Sequence, residues 1–272
     1  MILVYGTDLH GNHSKFKALR KAAFDNCADA IVVGADVLPK NMEPIVERQR
    51  QFLEWMVKFS KSCPCPLYFG FGNDDIAAVL PDAKEACKSS AGQLRLLAPS
   101  GTIGGVSYVH YPYVPEYPFG LKDWVKFDRP GDPRPQQYGP SVLSTPDGFE
   151  KVSDLYGVEA VEWLRARGSI EADLALVGGA DLAFVHAPPA GCRLDILFDL
   201  TPIGSKSVLA WIERTQPRFS FHGHIHESYE KGGEYKADIG QTRAFQPGDR
   251  HYLVVTVPPA GSARPSEFLF PY

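Results

Sequence analysis

The sequence predicts an α/β protein in which a parallel or mixed sheet is covered by helices. Short apolar runs alternate with helical patterns through the first third of the chain, and this order produces right-handed crossovers between parallel strands. The apolar runs are continuous, as expected of strands that are buried on both faces. A chain of 272 residues is long enough to enclose such a core.

The first third of the chain predicts three strands joined by two helices. Helical spacing is clearest in the first helix, where the apolar residues are Phe16, Leu19, Ala23 and Cys27. The second helix is long and amphipathic. In order, the predicted elements are a strand at 1–6, a helix at 14–27, a strand at 28–36, a helix at 43–62 and a strand at 66–75.

The middle of the chain, at about residues 110–150, differs in composition because it is crowded with Pro, Tyr, Phe and Trp. Flexible linkers are poor in aromatic residues. We therefore interpret this stretch as an ordered insertion that lies over a single domain spanning residues 1–272.

The last part of the chain returns to strands and helices. Ser205 is a suitable N-cap for one helix, and Pro217 lies just beyond its end. The predicted elements are a helix within 150–168, a strand within 181–189, a helix within 204–217, a strand and loop at 218–228, and two closing antiparallel strands at 251–257 and 266–272.

Composition limits the class of protein. The net charge is −4 and no basic block stands out, which argues against a surface that binds nucleic acid. The five cysteines are odd in number and irregular in spacing, as in a protein with reduced thiols. The first apolar run is too short for a signal peptide, and no stretch approaches the roughly 20 apolar residues of a membrane span. We expect a cytoplasmic protein without a membrane partner, and the oligomeric state stays open.

Metal-binding residue types follow the predicted strands. In an open α/β sheet the loops at the carboxyl ends of the strands meet in one crevice, so seven dispersed donors could meet there. Carboxylate and imidazole ligands suit Zn, Mn, Fe or Ni, and the number of donors is enough for two ions, with Asp36 as a natural bridge. The donors are Asp8, His10, Asp36, Asn73, His186, His224 and His226.

The spacing of these donors has a simple rationale. Residues i and i+2 of an extended segment point the same way, so Asp8 and His10 could face one ion together. His224 and His226 could both reach the site, with Ile225 turned into the core. Three glycines would allow tight backbone turns beside the ions: Gly34, Gly72 and Gly223.

The ordered motifs DLH, GAD, GNDD, VH and GHIH, from Asp8 to His226, resemble those of the calcineurin-like metallophosphoesterases. The stretches GSKSVLAWIERTQP and IGQTRAFQPGD are similar, more narrowly, to the Icc-related branch of that family. The resemblance implies a four-layer α/β/β/α sandwich of two mixed sheets flanked by helices, with a dinuclear site at one edge.

The resemblance also implies how the donors divide between two divalent ions, for which Mn, Fe, Zn, Ni and Mg all stay open. Asp8, His10 and His226 would hold one ion. Asn73, His186 and His224 would hold the other, and Asp36 would bridge. His222 lies outside the pattern, and we expect a structural role for it.

The chain departs from the family pattern at two places. An extra residue separates Gly34 from Asp36. Asp74 stands where the family has a histidine that protonates the leaving group or steadies the transition state. Bound cations would lower the pKa of a carboxyl group there and make it a poor general acid. Asp74 and His13 are therefore the candidate catalytic residues, with His13 as a substitute acid.

The resemblance implies a metal-dependent phosphoesterase that acts on a small-molecule phosphoester by attack of a metal-bridging hydroxide. The departure at Asp74 favours a phosphodiester over a monoester. The aromatic residues after His110 could stack on a base, hold an apolar group, or only pack over the core. The alternative function is a catalytically weak or inactive binding or scaffold protein on the same fold. A nuclease is a third possibility, but no basic groove supports it.

Overall fold

The computed structural model describes residues 1–40, 43–152, 158–259 and 266–272. Its strands, in chain order, are β1 (Ile2–Gly6), β2 (Ala30–Val33), β3 (Leu67–Phe69), β4 (Leu94–Leu96), β5 (Ser100–Ile103), β6 (Val106–Tyr111), β7 (Val114–Pro115), β8 (Val125–Lys126), β9 (Val142–Thr145), β10 (Gly148–Lys151), β11 (Leu182–Val185), β12 (Phe219–Phe221), β13 (Lys236–Ile239), β14 (Thr242–Phe245), β15 (His251–Thr256) and β16 (Glu267–Pro271). The helices are α1 (His13–Asp25), α2 (Ile45–Ser60), α3 (Leu80–Ser89), α4 (Val158–Ala166), α5 (Ile170–Ala175) and α6 (Lys206–Thr215), and a 3₁₀ turn spans Ala77–Val79.

Two six-stranded mixed sheets form the centre of the fold. The first has the order β16-β15-β1-β2-β3-β4. Strands β1 to β4 are parallel, whereas β15 runs antiparallel to both β1 and β16. The antiparallel closing strands predicted from the sequence are thus confirmed.

The second sheet has the order β13-β14-β12-β11-β6-β5. Its four central strands are parallel, and the edge strands β13 and β5 are antiparallel to their neighbours. Strands β11 and β12, which precede the predicted histidine donors, therefore lie side by side at the centre of this sheet.

Side-chain alternation along β1 shows how the layers stack. Leu3 and Tyr5 point into a core that they share with Phe184 and Phe221 of the second sheet, and the Tyr5 ring lies 4.8 Å from the Phe221 ring. Val4 points the other way, into a core formed with α1, α2 and α3. A third core joins the outer face of the second sheet to residues of α4, α5 and α6. The predicted four-layer α/β/β/α sandwich is confirmed.

Local signals explain where two helices begin. The Asn12 side chain accepts hydrogen bonds from the backbone N–H groups of Ser14 and Lys15 at the start of α1. Ser205, the predicted N-cap, accepts from Val208 at the start of α6.

The helix predicted within 150–168 was placed too early, because Glu150 and Lys151 pair in the β9–β10 hairpin. Residues 153–157 of that prediction lie outside the described part of the chain.

The aromatic stretch predicted at about 110–150 begins inside β6, so His110 and Tyr111 belong to the second sheet. The residues that follow form two small two-stranded sheets, β7-β8 and β10-β9. Trp124 donates from its indole N–H to the Asp75 carbonyl, which ties this stretch to the loop after β3. In the described part of the chain, no helix is long and apolar enough to cross a membrane.

Candidate metal site

The predicted donors follow five strands of the two sheets. Asp8 and His10 come after β1, Asp36 after β2 and Asn73 after β3, whereas His186 follows β11 and the pair His224 and His226 follows β12. Backbone hydrogen bonds continue beyond the strand ends, from Asp8 N–H to the Ala35 carbonyl and from Gly223 N–H to the His186 carbonyl. The two sheets thus present their donors to a common region.

The first group of donors contains Asp8, His10, Asp36 and His226. One ligand atom from each lies within 4.8 Å of the others, so this cluster could hold a metal ion. The Nε2 atoms of His10 and His226 are 3.1 Å apart, and His226 Nε2 is 3.5 Å from Asp8 Oδ1.

The second group of donors is centred on Asn73. Its Oδ1 atom lies 2.9 Å from His186 Nε2 and 2.7 Å from His224 Nδ1. His186 Nε2 is also 3.3 Å from Asp36 Oδ2. Asp36 therefore contacts the second group and is a member of the first, which is the position that a bridging carboxylate requires.

Four of the seven donors have left-handed backbone conformations. The φ angles are 55° at Asp8, 46° at His10, 49° at Asp36 and 71° at His224. Such values are uncommon for residues other than glycine, and they concentrate at functional sites. The side chains therefore converge through tight turns, and the predicted alternation of an extended segment is wrong here. Leu9 and Ile225 are nevertheless buried, as that prediction requires of the residues in between.

The site glycines allow close approach and do not have positive φ angles. A Cβ atom on Gly72 would collide with Asp36 Oδ1 and lie 2.8 Å from His186 Nε2. A Cβ atom on Gly223 would lie 2.7 Å from Asp8 Oδ2 and collide with Thr7 Oγ1. Gly34 packs against the Tyr5 ring instead. Only Gly72 and Gly223, of these three, leave room directly for donor side chains.

The electrostatics of the site separate neutral from charged donors. Burial lowers the pKa of His10 to about 4 and, together with the charge on His186, lowers that of His224 to about 3. Burial alone would lower the pKa of His186 as well, but the charge of the Asp36 carboxylate outweighs this effect and raises the pKa of His186 to about 9. Burial would raise the pKa of Asp36, but His186 lowers it to about 2. Asp36 and His186 thus each favour the charged form of the other, and a divalent cation would take the place of a proton between them.

The donor set fits divalent cations. One of its buried polar atoms, Asp8 Oδ2, has no hydrogen-bond partner among the described residues. Buried polar atoms without partners are rare, and an ion is one of the few explanations for them. Imidazole, carboxylate and amide groups together are ligands that Zn, Mn, Fe and Ni accept.

The two candidate catalytic residues lie in different surroundings. Asp74 borders the donors, because its backbone N–H donates to Asp36 Oδ1 (2.9 Å) and its Oδ2 accepts from Lys40 Nζ (3.0 Å). Burial and the Asp36 charge raise the pKa of Asp74, and the predicted lowering would need bound cations. His13 is exposed, and its ring packs against Phe52 and Trp55 at centroid distances of 5.3 and 4.2 Å. None of its described contacts reaches the donors.

His222 uses both ring nitrogens inside the protein. Its Nδ1 donates to the Val185 and Ala187 carbonyls, both at 2.9 Å, and its Nε2 lies 2.7 Å from Ser220 Oγ. Burial lowers the pKa of His222 to about 4, so the ring is neutral. These bonds hold the ends of β11 and β12 together, a structural role that agrees with the prediction.

Three residues beside the donors were not named individually from the sequence: Asp75, Lys40 and Tyr117. Asp75 is buried and accepts from the N–H groups of Val37, Leu38 and Gly72, which joins the loops after β2 and β3. Lys40 pairs with Asp74, and the Tyr117 ring lies 5.9 Å from the His224 ring. The sequence held a signal for Asp75 in the second aspartate of GNDD and for Tyr117 in the aromatic stretch after His110, whereas Lys40 belongs to no motif.

A cleft of about 770 Å³ opens beside the donors. Its polar lining includes Asp36, Asn73, Asp74, His224 and His226, together with Lys40, Glu43 and Glu227. Aromatic side chains from the middle of the chain complete it: Tyr117, Phe119, Tyr138 and Phe149.

Comparison with known proteins supports the fold. No family model matches the chain, and no curated protein matches it significantly. TT1561 of Thermus thermophilus is 16% identical, with a TM-score of 0.53 over 93% of both chains. Another solved structure is 13% identical, with a TM-score of 0.55 over 93% of this chain and 94% of its own. A third, of an archaeal phosphodiesterase, is 8% identical over 99% of this chain and 100% of its own, but its TM-score of 0.41 is too low to inform on fold or function. The chain therefore shares an α/β fold of two mixed sheets flanked by helices with the first two structures.

Proposed function

We propose that this protein is a metal-dependent phosphoesterase that hydrolyses a small-molecule phosphoester, with a diester as the favoured class. The observation that carries the proposal is the meeting of two donor groups at Asp36, below an open cleft. Strained backbone at four of the donors supports it further, because such strain is retained where function requires it.

In this proposal the donors divide as the family resemblance implies. Asp8, His10 and His226 would hold one divalent ion, Asn73, His186 and His224 would hold a second, and Asp36 would be shared between them. Two bound ions would activate a water molecule as nucleophile and stabilise negative charge on the phosphoryl oxygens.

The remaining polar residues of the cleft act on the substrate. Lys40 is the only Lys or Arg among the described residues that line the cleft, and Asp74 holds its ammonium group beside the donors. Lys40 therefore supplies a fixed positive charge for a phosphoryl oxygen, with Asp74 as its positioning residue. The role of His13 as the acid that protonates the leaving group stays a prediction. The variant His13→Gln would test that role.

The test is Mn²⁺-dependent hydrolysis of bis(p-nitrophenyl) phosphate and of the matching monoester p-nitrophenyl phosphate. We expect faster turnover of the diester. Asp36→Asn should lower kcat/KM by more than about 100-fold, because outer-shell changes alone cost 10–100-fold at metal sites. Metal content should fall in the same variant.

Asp25→Asn is the matched control, because Asp25 is exposed and belongs to α1 on the surface. It should leave activity and metal content unchanged. Equal activity of Asp36→Asn and wild type would refute the assignment of Asp36. Failure to hydrolyse either ester with Mn²⁺, Zn²⁺, Fe²⁺, Ni²⁺ or Mg²⁺ would instead favour the binding or scaffold function.

A further inference from the structure

The aromatic residues of the cleft form a connected path that leads away from the donors. The Tyr117 ring lies 5.9 Å from His224 and 5.8 Å from Phe119, and Phe119 lies 5.8 Å from Tyr138. Exposure increases along this path, since Phe119 is 62% and Tyr138 is 72% exposed. We call these three rings, Tyr117, Phe119 and Tyr138, the aromatic path.

The backbone under the aromatic path is held by buried polar groups. Lys122 Nζ donates to the Tyr117 carbonyl at 2.7 Å and pairs with Glu116 at 3.1 Å. Gln137 Nε2 donates to the same carbonyl, and the Tyr138 N–H donates to the Pro118 carbonyl at 2.9 Å. The backbone that carries the exposed rings is therefore fixed in advance, which reduces the entropy that would be lost when a ligand binds there.

The charges of the cleft limit what can lie on the aromatic path. Glu43 and Glu227 also line the cleft, whereas its described lining contains a single cation, Lys40. Once a phosphoryl group is bound at the donors and Lys40, a second anionic group would be repelled by these carboxylates. A group without negative charge is therefore favoured on the path over a polyphosphate chain.

We propose that the aromatic path binds an uncharged, planar aromatic group carried by the phosphoester substrate. The proposal rests on the proposed function and names the class of substrate for the same site. Stacking on exposed aromatic rings favours a planar π system over a saturated group of equal size. A nucleobase and a simple aryl group share this chemistry.

The experiment measures calorimetric binding of three phosphonates, which cannot be hydrolysed, to the Mn²⁺-loaded protein. Methylphosphonate carries only the anionic head, cyclohexylphosphonate adds a saturated ring, and phenylphosphonate adds a planar one. We expect phenylphosphonate to bind at least about 5-fold more tightly than the other two. A fourth probe, the 5′-phosphonate of thymidine, distinguishes a nucleobase from a simple aryl group as the natural occupant of the path. Tighter binding than that of phenylphosphonate indicates a nucleobase, and weaker binding indicates a simple aryl group.

Phe119→Ala should remove most of the preference for phenylphosphonate and leave methylphosphonate binding unchanged. Phe24→Ala is the matched control, because Phe24 is an exposed phenylalanine (74%) on α1. Equal binding of phenyl- and cyclohexylphosphonate, or equal loss of all probes in Phe119→Ala, would overturn the proposal. Failure of all four phosphonates to bind the Mn²⁺-loaded protein would instead count against the proposed function.

Discussion

At the residue scale, the site depends on glycines, which leave space beside the donors, as much as on the donor side chains themselves. Gly72 and Gly223 each border donor atoms so closely that a methyl group would displace them. Asp8, Asp36 and His224 meanwhile keep left-handed backbone conformations, each of which costs about 1–3 kcal/mol for a residue other than glycine. The fold therefore gives up stability to place the donors.

Gly223→Ala tests this close packing. The new Cβ would press on Asp8 Oδ2 and His186 Nδ1, so we expect Mn²⁺ affinity to fall about 10- to 100-fold, as when the surroundings of metal ligands are disturbed. Titration calorimetry on the folded variant measures the change.

Gly178→Ala is the matched control, because a Cβ there meets nothing within 4 Å and the φ angle is ordinary. Metal affinity of Gly178→Ala should equal that of the wild type. If Gly223→Ala also bound Mn²⁺ as the wild type does, the donors would not depend on this glycine.

At the element scale, the middle segment shapes the cleft and is anchored by a buried ionic cluster. Glu116 accepts from Lys122 at 3.1 Å and from Arg134 at 3.0 Å, and Lys122 and Glu116 are almost fully buried. Burial lowers the pKa of Lys122 to about 8, against the opposing charge of Glu116. The segment that carries the aromatic path is thus held by the Glu116 carboxylate, which pairs with both Lys122 and Arg134.

Glu116→Gln should destabilise the protein by about 3–5 kcal/mol, because removal of one partner leaves buried charges without compensation. Urea unfolding measures the free energy of unfolding. The matched control is Glu171→Gln, whose partner Arg129 is 3.7 Å away in an exposed pair, and its cost should lie within about 0–1 kcal/mol. A similar decrease in the free energy of unfolding for both variants would show that the buried ionic cluster does not anchor the middle segment.

At the scale of the whole molecule, the candidate metal site joins the two sheets. Asp8, Asp36 and Asn73 extend from the first sheet, whereas His186 and His224 extend from the second. The apolar core between the sheets includes the stacked rings of Phe184 and Phe221, 5.3 Å apart. Bound ions would therefore add a second connection between layers that already share a core.

Metal binding should consequently raise the thermal midpoint. At a free Mn²⁺ concentration of 100 times Kd the native state gains about 2.7 kcal/mol, and at about 2–4 °C per kcal/mol for a protein of this size the midpoint should rise by about 5–10 °C. Scanning calorimetry with and without chelator measures the shift. Asp36→Asn should lose most of it and Asp25→Asn should keep it; an equal shift in both variants would contradict a site centred on Asp36.

The local pattern of the sequence was sufficient to predict a sheet covered by helices, whereas the order of the four layers was implied by the family resemblance. Continuous apolar runs identified β1, β2 and β11, and the cap residue Ser205 identified the start of α6, because burial on both faces and capping depend on neighbouring residues in the chain. The donors could be chosen in advance because the carboxyl ends of parallel strands share one edge. Helix α3 and the hairpin of β13 and β14 were missed.

Only the tertiary structure decided which of those groups touch. His10 and His226 are 216 positions apart and meet through left-handed turns that no spacing rule predicts. The same holds for the pairing of Lys40 with Asp74 and for the contact of Tyr117 with His224. Periodicity reports which side of an element is buried, whereas contacts between distant residues depend on how the elements pack, and packing is settled only when the whole chain has folded.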